Sequence, residues 1–285
     1  MSIWVTGSQG QLGQCLQELA PNHPHTFLWT NSSILPLTEE NILSFIAQHQ
    51  PKVCLHTSAY TAVDNAETEV YKAFLHNSYI PHLLARLCKQ HQVRFIHCST
   101  DFVFDGKGSQ PLQENSPVAP LGIYGQSKAR GESLILKSNP EACIVRTSWL
   151  YSLYGKNFFK TMHQLGQERP LLRVVYDQVG TPTYAPDLAE VLLKIATHPQ
   201  TLSGIYHYSN EGVASWYDFA TTIFHEFSLS AKLEPIRSEE YPTPAKRPAF
   251  SVLDKAKIRK ALGIQIPHWQ ESVRLCVAKY MATKP

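Results

Sequence analysis

The sequence predicts an α/β fold, a doubly wound parallel sheet with a smaller C-terminal lobe. Three observations carry that expectation. Short apolar runs alternate with longer helical patterns. A glycine-rich turn stands between the first run and the first helical pattern. After about residue 148 the rhythm changes and prolines crowd in.

The elements follow in order. Residues 3–6, 26–29, 53–57, 94–98 and 143–146 are rich in Val, Ile, Phe, Trp and Cys, as strands buried on both faces require. Helical patterns fill residues 11–19, 39–49, 68–91 and 124–137. Pro81 is expected to kink or split the third of these. Beyond residue 148, helices are expected over 186–197 and 215–227, with a loop over 239–250. This gives a first domain over 1–148 and a second lobe over 149–285, with parts of 171–208 completing the sheet.

Composition excludes several classes. With 285 residues the chain can bury a sizeable core, and 43% hydrophobic against 17% charged residues is not the balance of a disordered chain. A formal net charge of +3 is too small to argue for nucleic acid. No apolar run approaches the length of a membrane span, and the start of the chain lacks the basic and apolar regions of a signal peptide. A cytoplasmic protein is expected. The six cysteines show no C-x-x-C spacing and read as buried free thiols of a reducing compartment. The histidines form no H-E-x-x-H, and no metal is expected.

Gly7, Gly10 and Gly13 form a G-x-x-G-x-x-G turn that also contains Gln11 and Leu12. Glycine allows a tight turn and close approach of a pyrophosphate, and the helix start offers free N–H groups to its charge. Between a first strand and a first helix, this is the dinucleotide site of a Rossmann-type fold. The acidic residue expected after the second strand is missing, for Thr30-Asn31-Ser32-Ser33 stand there. A carboxylate would repel a 2′-phosphate, so its absence opens the site to NADPH and leaves NADH as a second cofactor.

Tyr124 and Lys128 are spaced i and i+4, on one helix face. An ammonium beside a phenol lowers its pKa and suits it to proton exchange. Tyr280 and Lys284 repeat the spacing at the tail and read as a solvated end. What singles out Tyr124 is Ser99-Thr100-Asp101, which closes the fourth strand at the rim of the sheet. A hydroxyl there can hold a substrate oxygen, although Thr-Asp is also a turn and cap signal.

Together these features resemble the extended short-chain dehydrogenases/reductases. Longer strings narrow the resemblance to the dTDP-4-dehydrorhamnose reductase family. They are Ser58-Ala59-Tyr60-Thr61-Ala62-Val63-Asp64-Asn65-Ala66-Glu67, Ser99 to Gly106, Tyr124 to Lys128, Arg146 to Tyr151, Asp177 to Thr183, and Arg247-Pro248. The resemblance runs from residue 1 to about 275. It implies a Rossmann-type domain with a smaller C-terminal substrate-binding lobe for a sugar nucleotide. It implies NADPH-dependent reduction of a C4 ketone. By that match Tyr124 donates the proton, while Lys128 lowers its pKa and holds the nicotinamide ribose. Thr100 binds the reacting oxygen, and Asp101 and Trp149 contact the substrate. The cofactor would lie on Gly10-Gln11-Leu12 and on Ser58, Ala59 and Tyr60.

Two residues depart from the family pattern. His56 stands where Asn is usual, and Pro36 stands where Asp is usual. Some members bind Mg²⁺ at a dimer contact through two glutamates, whose positions here are Cys15 and Pro186. A thiol and a proline are poor ligands for a hard cation. The expectation is therefore a monomer or a metal-independent homodimer. Two other readings stay open. One is a reductase of another 4-keto or branched sugar nucleotide, of the dihydrostreptose synthase type. The other is a non-catalytic, NADP-binding regulatory subunit.

Overall fold

The structure is a computed structural model and describes residues 1–283. Six parallel strands form the main sheet. They are β1 (Ser2–Thr6), β2 (Thr26–Thr30), β3 (Val53–His56), β4 (Arg94–Thr100), β5 (Cys143–Thr147) and a sixth, Gly204–His207. Across the sheet the order runs from the sixth strand through β5, β4, β3 and β1 to β2. The direction of winding reverses between β1 and β3, and such a switch point opens a crevice at the carboxyl ends of the strands.

Strand alternation sorts the core. Ile3, Val5 and Leu55 face the side covered by α1 (Gln11–Leu19) and by helix Ala185–Thr197. Trp4 and Cys54 face the other side, where α2 (Glu39–His49) and helices Ile80–Gln90 and Ile123–Ser138 pack. The helix expected over 68–91 runs as Val70–Phe74, a π-turn at Leu75–Tyr79, and Ile80–Gln90. Pro81 follows directly on the π-turn, the local distortion that takes up its ring and missing N–H within a continuous helical run.

The second lobe is built differently. Its two-stranded ladders pair Leu171–Val175 with Lys232–Ile236, Val179–Gly180 with Ala214–Ser215, and Leu150–Tyr151 with Thr183–Tyr184. The stretch 171–208 was expected to supply parts of the main sheet. Gly204–His207 does join β5, but Leu171–Val175 pairs inside the lobe. Its alternating exposure suits a strand with one wet face rather than a strand buried on both. Helices Phe158–Glu168, Ala256–Leu262 and Trp269–Thr283 were not expected. Tyr280 is not a solvated end, since it packs edge-on against His163 and Phe227. Lys284, its expected partner, lies outside the described residues.

All six cysteines are free thiols. No helix among the described residues is long and apolar enough to cross a membrane.

Candidate active site

The glycine turn lies at the switch point. Gly7 has φ +75°, and a Cβ there would meet the Ser58 nitrogen at 2.7 Å. A Cβ on Gly13 would meet the Gly7 carbonyl at 2.3 Å. Neither position admits a side chain, so the turn can close tightly against the chain after β3. Gly10 is the N-cap of α1 and makes no side-chain cap. A helix start of this kind leaves first-turn N–H groups, at Gln11 and Leu12, for an anionic ligand. Gln11 also reaches the second lobe, where its Oε1 accepts from Ser152 Oγ at 3.1 Å and from Asn157 Nδ2 at 2.8 Å. Thr30, the last residue of β2, is turned inward and its Oγ1 accepts from Trp4 Nε1 at 2.8 Å. Ser32 and Ser33 are exposed.

Ser58, Ala59 and Tyr60 follow β3 and are half-buried beside the turn. They are fixed by Asn77, a residue that no motif of the sequence singles out. Asn77 accepts from the Tyr60 nitrogen at 2.9 Å and donates to the Tyr60 carbonyl at 3.0 Å. Its amide also donates to Ser127 Oγ at 3.0 Å, on the helix that carries Tyr124 and Lys128. Asn77 is wholly buried on the π-turn, and π-turns are frequent at functional sites. Glu67 braces the start of the same helix, where its Oε1 accepts from the Ile123 nitrogen at 2.9 Å. For Asn77 the available signal in the sequence is a polar residue inside an otherwise amphipathic helical pattern.

Thr100 ends β4 and caps the short 3₁₀ turn Asp101–Val103, so its role as a cap is real. Its hydroxyl donates to Asp101 Oδ1 at 3.1 Å and accepts from the Phe102 nitrogen at 3.2 Å. Tyr124 is close enough for Thr100 to pull its phenol down. Thr100, Asp101 and Tyr124 therefore meet in one cluster, with Phe102 packed edge-on against the Tyr124 ring at 5.4 Å. Burial pushes the Tyr124 phenol up to about 12, outweighing the downward pull of Thr100. The expected lowering by Lys128 does not set its value in this arrangement. The Lys128 ammonium is turned to the sheet, where it donates to the Cys98 carbonyl at 2.7 Å and lies 3.1 Å from His97 Nε2. Burial lowers Lys128 to about 8 and raises Asp101 to about 6.

Trp149 stands just past β5 in the left-handed region, with φ +48°. It stacks on Trp216 with ring centroids 3.6 Å apart. Trp216 in turn donates to Gln178 Oε1 at 3.1 Å. The turn before it is tied down by Ser148, which donates to the Thr181 carbonyl at 2.7 Å. The string Asp177 to Thr183 therefore braces Trp149 from behind. On the far side of the crevice, Arg247 is paired with Asp64 at 2.8 Å.

At the two positions discussed for a cation, Cys15 is buried with its thiol pushed up to about 12, and Pro186 sits in the first turn of its helix. The nearby Glu18 accepts from Tyr154 and from Lys279 Nζ.

Comparison with known proteins gives this geometry a family. The model of the RmlD substrate binding domain matches residues 1–282. The chain belongs to that family. A dTDP-4-dehydrorhamnose reductase of Aggregatibacter actinomycetemcomitans is 42% identical, covering 95% of this chain and 97% of that protein. The spore coat polysaccharide biosynthesis protein SpsK of Bacillus subtilis (strain 168) is 39% identical, covering 95% of each. Among solved structures, a dTDP-4-dehydrorhamnose reductase of Bacillus anthracis str. Ames in complex with NADP superposes with a TM-score of 0.94. It is 34% identical, over 98% of this chain and 99% of that one.

Proposed function

We propose that the chain reduces the C4 ketone of dTDP-4-dehydro-L-rhamnose to give dTDP-L-rhamnose, with NADPH as the reductant. The single observation that carries this reading is the meeting of Thr100 and Tyr124 at the rim of β4, with Lys128 one helical turn further along the same helix. The family relatives supply the substrate class. The dinucleotide fits the residues present: a turn without side chains at Gly7 and Gly13, and a helix start without a side-chain cap.

When bound, that group supplies the hydride, which adds to the ketone carbon. The residues of this chain do the rest. Gly7, Gly10, Gln11, Leu12 and Gly13 bind the pyrophosphate, and Ser58, Ala59 and Tyr60 flank it. Thr100 holds the ketone oxygen through its hydroxyl and orients the carbonyl. As the carbonyl π pair moves onto oxygen, Tyr124 gives its phenolic proton to that oxygen, and the product alcohol is neutral. The resulting phenolate accepts from the Thr100 hydroxyl and regains its proton from solvent, while Lys128, held by His97 and the Cys98 carbonyl, would bind the nicotinamide ribose. A phenol held near 12 is a weak acid at rest, so it stays protonated until an alkoxide, a far stronger base, develops beside it. Asp101 and Trp149 contact the sugar nucleotide. The protein acts in the cytoplasm, as a monomer or a metal-independent homodimer.

The test is direct. Purified protein is given NADPH and dTDP-4-dehydrorhamnose, the absorbance at 340 nm is followed, and the product is identified by NMR. Loss of NADPH with a product of rhamno configuration is expected. A product of another configuration would move the assignment to a different 4-keto sugar nucleotide. Binding of NADPH without turnover would favour a regulatory subunit.

A further inference from the structure

Behind the crevice a row of polar side chains crosses three neighbouring strands. Thr6 on β1, His56 on β3 and His97 on β4 are register partners. Thr6 Oγ1 and His56 Nδ1 are 2.6 Å apart. The His56 and His97 rings stack with centroids 5.2 Å apart, and His97 Nε2 meets the Lys128 ammonium. Every member is buried, from 0% exposure at His97 to 2% at Lys128.

The charge states follow from this setting. Burial and the neighbouring lysine push His56 down to about 3 and His97 well below its usual value. Both rings are neutral at working pH. A neutral ring facing an ammonium accepts through its bare nitrogen, so Nε2 of His97 is the acceptor and its proton sits on Nδ1. The ammonium has three N–H donors. His97 and the Cys98 carbonyl take two of them.

We propose that His97 is a positioning residue for the reduction: it fixes the orientation of Lys128, and the row behind it ties that orientation to the glycine turn. Thr6 directly precedes Gly7, so the cofactor turn and the lysine are held by one continuous set of contacts. A packing role alone would be served at lower cost by a ring without nitrogens, as Phe95 shows two residues earlier on the same strand. The His97 Nδ1 and His56 Nε2 atoms are buried with no protein partner, a cost that a purely structural position has no reason to carry.

The kinetic part of the test rests on the reductase reading; the spectroscopic part does not. His97→Phe keeps the stacked ring and removes the acceptor. His97→Gln keeps an acceptor within reach of Lys128. The first should lower kcat about tenfold or more with KM for the sugar nucleotide changed by less than about twofold, and the second should recover most of that loss, as for a lost bond to a charged group. A His97→Phe protein with wild-type kcat, or a His97→Gln protein as impaired as His97→Phe, overturns the proposal. Because either variant can fail to fold, the wild-type protein is also read by ¹⁵N NMR of its histidine rings. His97 should appear as the neutral Nδ1–H form from pH 6 to 7, where Lys128 is an ammonium, and a protonated ring or an Nε2–H form in that range overturns the proposal. A wild-type protein that turns over no 4-keto sugar nucleotide sinks the reductase reading, while the ring spectrum still decides the Lys128–His97 bond.

Discussion

In the sheet half, six parallel strands in continuous register deliver Gly7, Ser58 and Thr100 to one edge. In the second lobe, three two-stranded ladders are joined mainly by packed rings, with Tyr151, Phe159, Phe219 and Trp269 in one buried cluster. Backbone register in a covered sheet tolerates little adjustment, because a slip moves every side chain to the other face. Packed rings and short ladders can be reshaped one residue at a time. The difference teaches how labour is divided here. Under the proposed function, chemistry that needs fixed distances would sit on the sheet, and recognition of the sugar would sit against the adaptable lobe.

The sharpest way to break that division is at Tyr124. Tyr124→Phe should lower kcat by about a hundredfold or more, the scale of a lost general acid, while NADPH affinity measured by calorimetry stays near wild type. A variant with near-normal turnover would take the chemistry away from the sheet rim.

Asp101 offers a pH-dependent test of the same rim. Its folded pKa, about 6, is raised by burial above the ordinary carboxylate value of 3.8. The native state therefore holds this proton more tightly than the unfolded chain. Its contribution is fully present below about pH 4 and is lost as pH rises through 6. Asp101→Asn, which stays neutral, should stabilise the protein at pH 8 by up to about 3 kcal/mol relative to wild type. That gain should vanish near pH 4, as measured by urea unfolding at several pH values. The same variant should bind the sugar nucleotide less well. A gain that is independent of pH would show that Asp101 is ionised in a better solvated setting.

On the lobe side, Trp149→Ala should raise KM for the sugar nucleotide by about tenfold, the scale of a lost aromatic stack, and leave KM for NADPH within about twofold. Equal rises in both, with a lower melting temperature, would make Trp149 a packing residue for the Trp216 stack instead.

The smallest expected effect concerns cofactor choice. Thr30 is occupied by its bond to Trp4, so the exposed Ser32 is the better position for a new carboxylate. Ser32→Asp should shift the NADPH to NADH preference by a few-fold toward NADH, read as the ratio of kcat/KM values. No shift would place the 2′-phosphate away from this loop.

The same contrast governs what the sequence made legible. The helices Gln11–Leu19 and Glu39–His49 end where their patterns end, and all five expected strands lie in the sheet. Buried parallel strands are near-continuous apolar runs, and the glycine turn marks the first crossover. The lobe gave weaker signals because its strands are two residues long in places and its helices are anchored by rings far apart in sequence. Within the candidate site, Thr100, Tyr124 and Trp149 were singled out from local strings, and the structure places the first two near each other. Asn77, Glu67 and His97 were not, for their partners lie 17 to 56 residues away and no local spacing encodes such contacts. Lys128 was found by its spacing, but its turn toward His97 depends on strands that the spacing does not describe.

The sixth strand of the sheet also has a consequence for synthesis. On the ribosome, β5 emerges well before Gly204–His207, the segment that covers its outer edge. Translation adds about 5–20 residues each second, so for several seconds a nearly finished sheet shows an unpaired, strongly apolar edge. Helix Trp269–Thr283, whose Lys279 fastens Glu18 on α1, follows later still. A nascent chain stalled after residue 200 should thus be sticky and should require a chaperone, while synthesis of the following segments closes the edge and fastens α1 to helix Trp269–Thr283.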